Sequence, residues 1–333
     1  MRFTQMNVGF LRRAGQLSRF AVFGLALAGL GSVGIGTTAA SVRQQAPAPK
    51  AGEKPQDPPK EDGKGAKKDE KKTDKPQDAK SVDQTPKAEK PKKLGKPETW
   101  DGETLAEVVI FAYGSRPVIE YVCTNSREEG FIRIANGEDR PPIEGKFKQF
   151  YLRRETSDRD NVRIEVELPD PQGGAPQELA FGFNGFTNWA TQNRQPITLT
   201  PQAEASFKAS LTNDYMSLLR FREDGSKVEK IRDEKISGID TFVLELTRRD
   251  GTKTRYFISS KTFHILHLEY ELKDAGVETP VKFRESFYDF RAVQNVLVPM
   301  RKVLYEDGKF KQEIELREIR YRLAKLDEDI FRN

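Results

Sequence analysis

Residues 298–322 read VPMRKVLYEDGKFKQEIELREIRYR. Two runs of alternating apolar and charged residues flank Glu306-Asp307-Gly308, the composition of a tight hairpin turn. Successive side chains of a strand point to opposite faces, so each run reads as a strand with one face toward a core and the other toward water. The second run carries Phe310, Ile314, Leu316 and Ile319, and its alternation slips around Gln312, where a bulge is expected. The stretch holds no His, no Cys and no nucleophile-like constellation, so it reads as a surface for packing or binding.

The same pattern extends upstream. VKFRESFYDFRAV (281–293) and FHILHLEYELKD (263–274) are strands, and TFVLELTRRDGTKTRYFISS (241–260) is a hairpin about Asp250-Gly251. In NVRIEVELPD (161–170), Val162, Ile164, Val166 and Leu168 share one face, and Arg163, Glu165 and Glu167 share the other. One-sided strands of this kind suit an antiparallel sheet with one wet face. GFIRIAN, GKFKQFYLRRE and QELAFGFNGFTNWATQ continue it. Two linked helices precede the strands. Leu105, Val108, Val109 and Ala112 lie on one face of the first, and Ser115 with Pro117 opens the second. A third helix interrupts the strands at 200–221, capped by Thr200 with Pro201 behind it, and Ala203, Phe207, Leu211 and Tyr215 form its apolar stripe. The reading is mainly antiparallel β with helices: about ten or eleven strands in a sheet too large to stay flat, an unclosed half-barrel with helices covering its concave face.

The chemistry-bearing residue types are sparse. The two histidines, His264 and His267, are three apart in a strand and point to opposite faces, so they cannot share a metal. Cys123 is the sole cysteine and sits in the apolar context VIEYVCTNS, which reads as a buried small hydrophobe. The glycines of PDPQGG and FGFNGF belong to turns, not to a phosphate loop. Carboxylates are scattered, and Glu285 or Asp289 as a hydrolytic pair has no positive support. No catalytic residue, metal or cofactor is expected. The 21 phenylalanines fit either an ordinary core or the wall of an apolar cavity, and an acyl chain suits such a cavity because each buried methylene contributes about 0.8 kcal/mol.

The ends of the chain are different in kind. Residues 1–43 carry Arg2, Arg12, Arg13 and Arg19, then an apolar run from Phe20 to Ile35 and small residues up to Ala40. This is the layout of an export signal, and two readings stay open: cleavage after Ala40, or retention as a membrane anchor. Residues 44–97 form a Lys/Pro/Asp/Glu-rich spacer too poor in apolar groups to order itself. Residues 1–49 hold five Arg and no acid, and residues 50–97 hold 15 Lys against 10 acids; with +5 for the chain, residues 98–333 carry −5. That sign argues against a nucleic-acid-binding face. The folded domain is placed at 98–333.

The order of these pieces resembles a family. A helix pair ending AYG, the strand GFIRI, NGFTNW, a helix after LTP, YFISSKTFHILHLEYE (256–271), YDFRAVQNVLVP (288–299) and a terminal LDEDIF are similar to the exported lipoprotein carriers and outer-membrane lipoprotein-sorting proteins, with their related receptor and anti-sigma-regulator domains. The likeness spans about residues 103–331. Asn295 stands where that pattern usually has Gly. The resemblance implies an unclosed barrel plugged by helices and a non-catalytic, periplasmic role in binding or moving acyl chains of lipids or lipoproteins. The alternative is a tethered sensor or protein-interaction domain without bound lipid. Phe183, Trp189, Phe207, Leu211, Tyr215 and Phe257 are the expected lipid-contacting residues, with the helix of Phe207, Leu211 and Tyr215 as a lid and Trp189 at the cavity rim. Expected partners are acyl chains and an envelope or membrane protein, with no specific nucleic acid, and the chain is expected to act as a monomer.

Overall fold

The computed structural model describes residues 95–332 apart from 138 and 274–278. The expected export signal and all but the end of the expected spacer lie outside the described residues. A short 3-10 turn at Pro97–Thr99 leads into two helices, α1 (Gly102–Ala112) and α2 (Arg116–Val122). Asp101 caps α1 by accepting from the Thr104 amide at 2.7 Å. Six strands follow: β1 (Asn125–Ile134), β2 (Ile143–Leu152), β3 (Asn161–Leu168), β4 (Gln177–Asn184), β5 (Asn188–Gln192) and β6 (Gln195–Ile197). Helices α3 (Pro201–Thr212) and α4 (Tyr215–Leu219) come next. Then come β7 (Lys227–Ile236), β8 (Ile239–Thr247), β9 (Lys253–Ser259), β10 (Ile265–Leu272), β11 (Val281–Val293), β12 (Val296–Glu306) and β13 (Lys309–Tyr321).

All thirteen strands form one antiparallel sheet in the order β6-β5-β4-β3-β2-β1-β13-β12-β11-β10-β9-β8-β7. The expected count of ten or eleven is two or three short. β6 is three residues long, too short to display a period. β7, KVEKIRDEKI, is an edge strand whose charges hide its alternation, as edge strands require if they are not to recruit other chains. β1 also begins at Asn125, ahead of the apolar GFIRI, because the polar NSREE imitates a loop. The bulge expected near Gln312 is present: Leu304 faces Gln312 while Tyr305 faces Phe310, leaving Lys311 as the extra residue. At the β11–β12 hairpin Gln294 and Asn295 have φ of 49° and 67°. Asn tolerates this left-handed region better than most residues, which explains how it substitutes for Gly there.

The sheet is open, since β6 and β7 are its two edges, and it curls. Arg220, just after α4, donates to the Tyr151 hydroxyl on β2 at 2.9 Å, while Asp214, just before α4, accepts from the Tyr256 hydroxyl on β9 at 3.0 Å. In a flat sheet β2 and β9 would stand about 29 Å apart; six residues of helix rise only about 9 Å. The two flanks therefore fold toward each other around α4. The inner layer is apolar: Ile132, Ile164, Phe181, Leu244, Ile258 and Leu268 are among its buried residues. Gly102 belongs to a close approach, since a Cβ there would lie 2.4 Å from the Val228 carbonyl oxygen, so α1 begins directly against the backbone of β7.

Candidate functional site

The inner face is covered by the α3–α4 segment, which connects one sheet edge to the other. Thr200 opens α3 by accepting from the Ala203 amide at 3.2 Å, and Pro201 fills the first position without wasting a donor. Phe207 is fully buried and its ring lies 6.2 Å from that of Phe181 on β4. The expected single helix breaks at Asn213 and Asp214. Asn213 donates to the Ala209 carbonyl at 2.9 Å and accepts from the Thr254 hydroxyl at 2.5 Å. Tyr215 then packs its ring 5.9 Å from Tyr113 and 5.7 Å from Phe287.

At its far end the segment is fastened by Arg220, whose guanidinium pairs with Asp160, donates to the Arg154 carbonyl at 2.9 Å and meets Glu223 at 2.8 Å. Tyr151 donates to the same Asp160 carboxylate at 2.6 Å. All three nitrogens of Arg220 thus donate to an acceptor, as a buried guanidinium requires. Asp224 adds a second fastening through the Ser157 amide and hydroxyl, at 2.9 and 2.6 Å.

Beneath α4 the inner face turns polar. Glu128 from β1, Lys302 from β12 and Asp214 line a small, partly open cavity of about 60 Å³, with Tyr215, Tyr321 and Cys123 among its walls. Glu285 from β11 projects from the same side, since Phe287, two residues on, faces Lys302 across the ladder. Burial alone would depress the Lys302 pKa; Asp214, Glu128 and Glu285 reverse that and raise it. Burial raises the Glu128 pKa and lifts that of Glu285 to about 8, against the pull of Lys302. Burial also pushes the Cys123 thiol up to about 12, leaving it unreactive at neutral pH. The cavity has room for a few waters and none for an acyl chain.

Phe183, Phe207, Leu211 and Tyr215 are brought to the inner side. Phe183 faces Val162 on β4's inward register, and Leu211 borders the polar cavity. Trp189 and Phe257 are not brought there. Trp189 pairs with Gly182 and Gly182 with Arg163, which is the outward register. Its indole donates to the Phe331 carbonyl at 2.7 Å beneath the C-terminal turn, and a Cβ on Gly182 would lie 2.1 Å from its ring. Phe257 lies between the inward residues Tyr256 and Ile258 and stacks on His267 at 4.1 Å on the outer face. Alternation alone places both residues outside; the aromatic count obscures it. The residues that sequence reading passes over are Glu128, Lys302 and Asp214, with Glu285 weighed there only for a hydrolytic role. For the strand residues the signal exists, as charges in the inward phase of otherwise apolar runs.

The larger hollows lie on the outer face. One of about 850 Å³ lies at the β2–β3 end beside β1 and β13, one of about 690 Å³ covers β1 to β5, and one of about 600 Å³ covers β9 to β11. All three are lined by charges of both signs. Among the described residues no His, Cys, Asp or Glu group is spaced to hold a metal ion, and no helix is long and apolar enough to cross a membrane.

No protein-family model matches the chain, and no curated protein does. Solved structures similar to it include two that carry names of the family that the sequence resembles. One is described as an outer-membrane lipoprotein-sorting protein domain, from Vibrio parahaemolyticus; it is 12% identical, with 68% of this chain and 95% of that one covered and a TM-score of 0.47. A LolA superfamily protein from Nitrosomonas europaea is 16% identical, with 70% and 98% covered and a TM-score of 0.46. A DUF1329 family protein from Desulfovibrio piger is 12% identical, with 69% and 96% covered and a TM-score of 0.47.

Proposed function

We propose that this chain is a non-catalytic binder of lipid or lipoprotein acyl chains, working in the cell envelope after export by residues 1–43. The observation that carries the reading is the cover of the inner face. A sheet buries such a face against another layer; here helices do so, and the α3–α4 segment among them is fastened at two polar points. On this reading the described arrangement is the closed state. A ligand enters when α3 and α4 lift, and Phe181 and Phe207 exchange their contact with each other for contacts with the chain. Apolar area, at roughly 25 cal/mol per Å², drives the exchange.

The filled inner layer favours one other reading, a sensor or protein-interaction domain that never takes lipid. A locked lid separates the two. In a Cys123→Ala background, Asn213→Cys with Thr254→Cys joins positions whose side chains already touch. An acyl-chain fluorescent probe should bind the reduced protein and lose at least about tenfold in affinity on oxidation. Leu211→Asp should weaken binding while strand content by circular dichroism survives. A reduced protein that takes no probe, together with no lipid by mass spectrometry of natively purified material, overturns the carrier reading in favour of the interaction domain.

A further inference from the structure

A buried polar group without a hydrogen-bond partner is costly, most of all when charged, and is rare in a folded chain. Among the described residues several such atoms gather at the loop 220–226, which joins α4 to β7: the Ser226 hydroxyl in it, the Arg153 Nη1 and, on Arg248, both Nε and Nη2. Arg153 meets the loop at Glu223, 2.6 Å away, and Arg248 meets it at Asp224. Arg248 follows β8 in the inward phase of Leu244 and Leu246, whose partners on β9 are Tyr256 and Thr254. Its side chain is 11% exposed, and its Nη1 stands 4.0 Å from the Asp224 Oδ2, too far for a hydrogen bond. Both Asp224 oxygens already accept from Ser157, and Asp250 accepts from the Thr252 amide and hydroxyl at 2.9 and 2.7 Å. What is left is the Nε–Nη2 edge of the guanidinium, two parallel N–H groups that grip a carboxylate or phosphate through two oxygens. Lys227 and Arg249 add positive charge beside the loop, Arg249 with its guanidinium against Gly225. Among the described residues neither side chain makes a hydrogen bond or ion pair.

We infer that the free edge of Arg248 receives an oxyanion, the carboxylate or phosphate head of an amphiphile whose acyl chains lie along the apolar inner face. The inference rests on the acyl-binding reading and names the head group within it. Nε and Nη2 are buried, so the head reaches them once the cover lifts and draws the 220–226 loop aside. The bond it makes is charge-assisted and bidentate, about twice as strong as a neutral one, and it breaks no existing hydrogen bond of the Arg248 side chain. The acids beside the site do not compete for that edge: Glu223 is engaged by Arg153 and Arg220, and Asp224 by Ser157. A cationic head would meet a fixed guanidinium, and an ester head could accept from it but carries no charge.

The test uses the full chain and one fluorescent acyl chain ended in three ways: as the carboxylate, as its methyl ester and as a phosphate monoester. Both anions should bind about tenfold tighter than the ester. Arg248→Met should bring them down to the ester's level without changing the ester's affinity, which also shows that the variant is folded. Arg248→Lys keeps the charge and loses the fork, and should retain only part of the preference. Inorganic phosphate as competitor assigns the source. Displacement of the anionic probes but not of the ester puts recognition in the free anion, and no displacement ties it to the attached chain; either outcome, with the preference lost in Arg248→Met, supports the site. Equal binding of the three probes by the unsubstituted protein, or a preference for the anions that either variant leaves whole, overturns the inference and leaves acyl binding standing. Binding of none defeats the acyl reading as well.

Discussion

Lys302 shares the inward phase of β12 with Val298, Met300 and Leu304, and its ammonium faces acids brought from β1, β11 and the α3–α4 link. Removing one partner of a buried charge set is worse than never having it, because the others keep their desolvation cost. Lys302→Met should therefore lower stability by about 3–5 kcal/mol in urea denaturation. The double variant with Glu128→Gln should be less unstable than the two single effects predict. At this scale the sequence is partly legible. The inward phase of Lys302, Glu285 and Glu128 can be read from VPMRKVLY, VKFRESF and NSREEG, because a strand's period fixes the face. That the three meet cannot be read, because β1 and β12 are 162 or more residues apart in the chain and pair through β13.

At the scale of elements, the caps and turns were the most legible features, since each is set by two or three adjacent residues. Thr200-Pro201, Asp307-Gly308 and the bulge at Lys311 all occur where local chemistry puts them. The break between α3 and α4 was not legible: Asn213 and Asp214 are tolerable in a helix, and it is Thr254 and Tyr256, from β9, that draw them out of it. The fastening of α4 also comes from distant residues. Arg220→Met strands the Asp160 carboxylate and frees that end of the lid. Stability should fall by about 3–5 kcal/mol, and the association rate of an acyl probe should rise in stopped-flow mixing. An unchanged rate would show that opening begins at the Asn213 end instead.

For the whole molecule, the buried acids set how stability follows pH. Glu285 has its folded-state pKa raised from 4.5 to about 8, so the folded protein keeps a proton that the unfolded chain has released. Its contribution is full below the unfolded value and is lost as pH climbs through the folded one. Between about pH 7 and about pH 8, above the range in which the buried His267, its pKa lowered to about 4, works in the opposite direction, the urea midpoint should fall, and Glu285→Gln should flatten that decline. A rising midpoint would show that Glu285 is ionised in the fold. The fold class was legible from hairpin composition and one-sided strands. The ring-like order of the strands was not, because β1 pairs with β13 from the other end of the domain, and no local pattern encodes a pairing at that separation.

Because β6 and β7 end the ladder without joining each other, lifting α3 and α4 breaks none of the sheet's inter-strand bonds. On the proposed acyl-binding reading, ligand entry is thereby uncoupled from global unfolding. Amide protons at 201–219 should trade with deuterium far sooner than those of β11 to β13, and the molecule can breathe on one side while its frame stays intact.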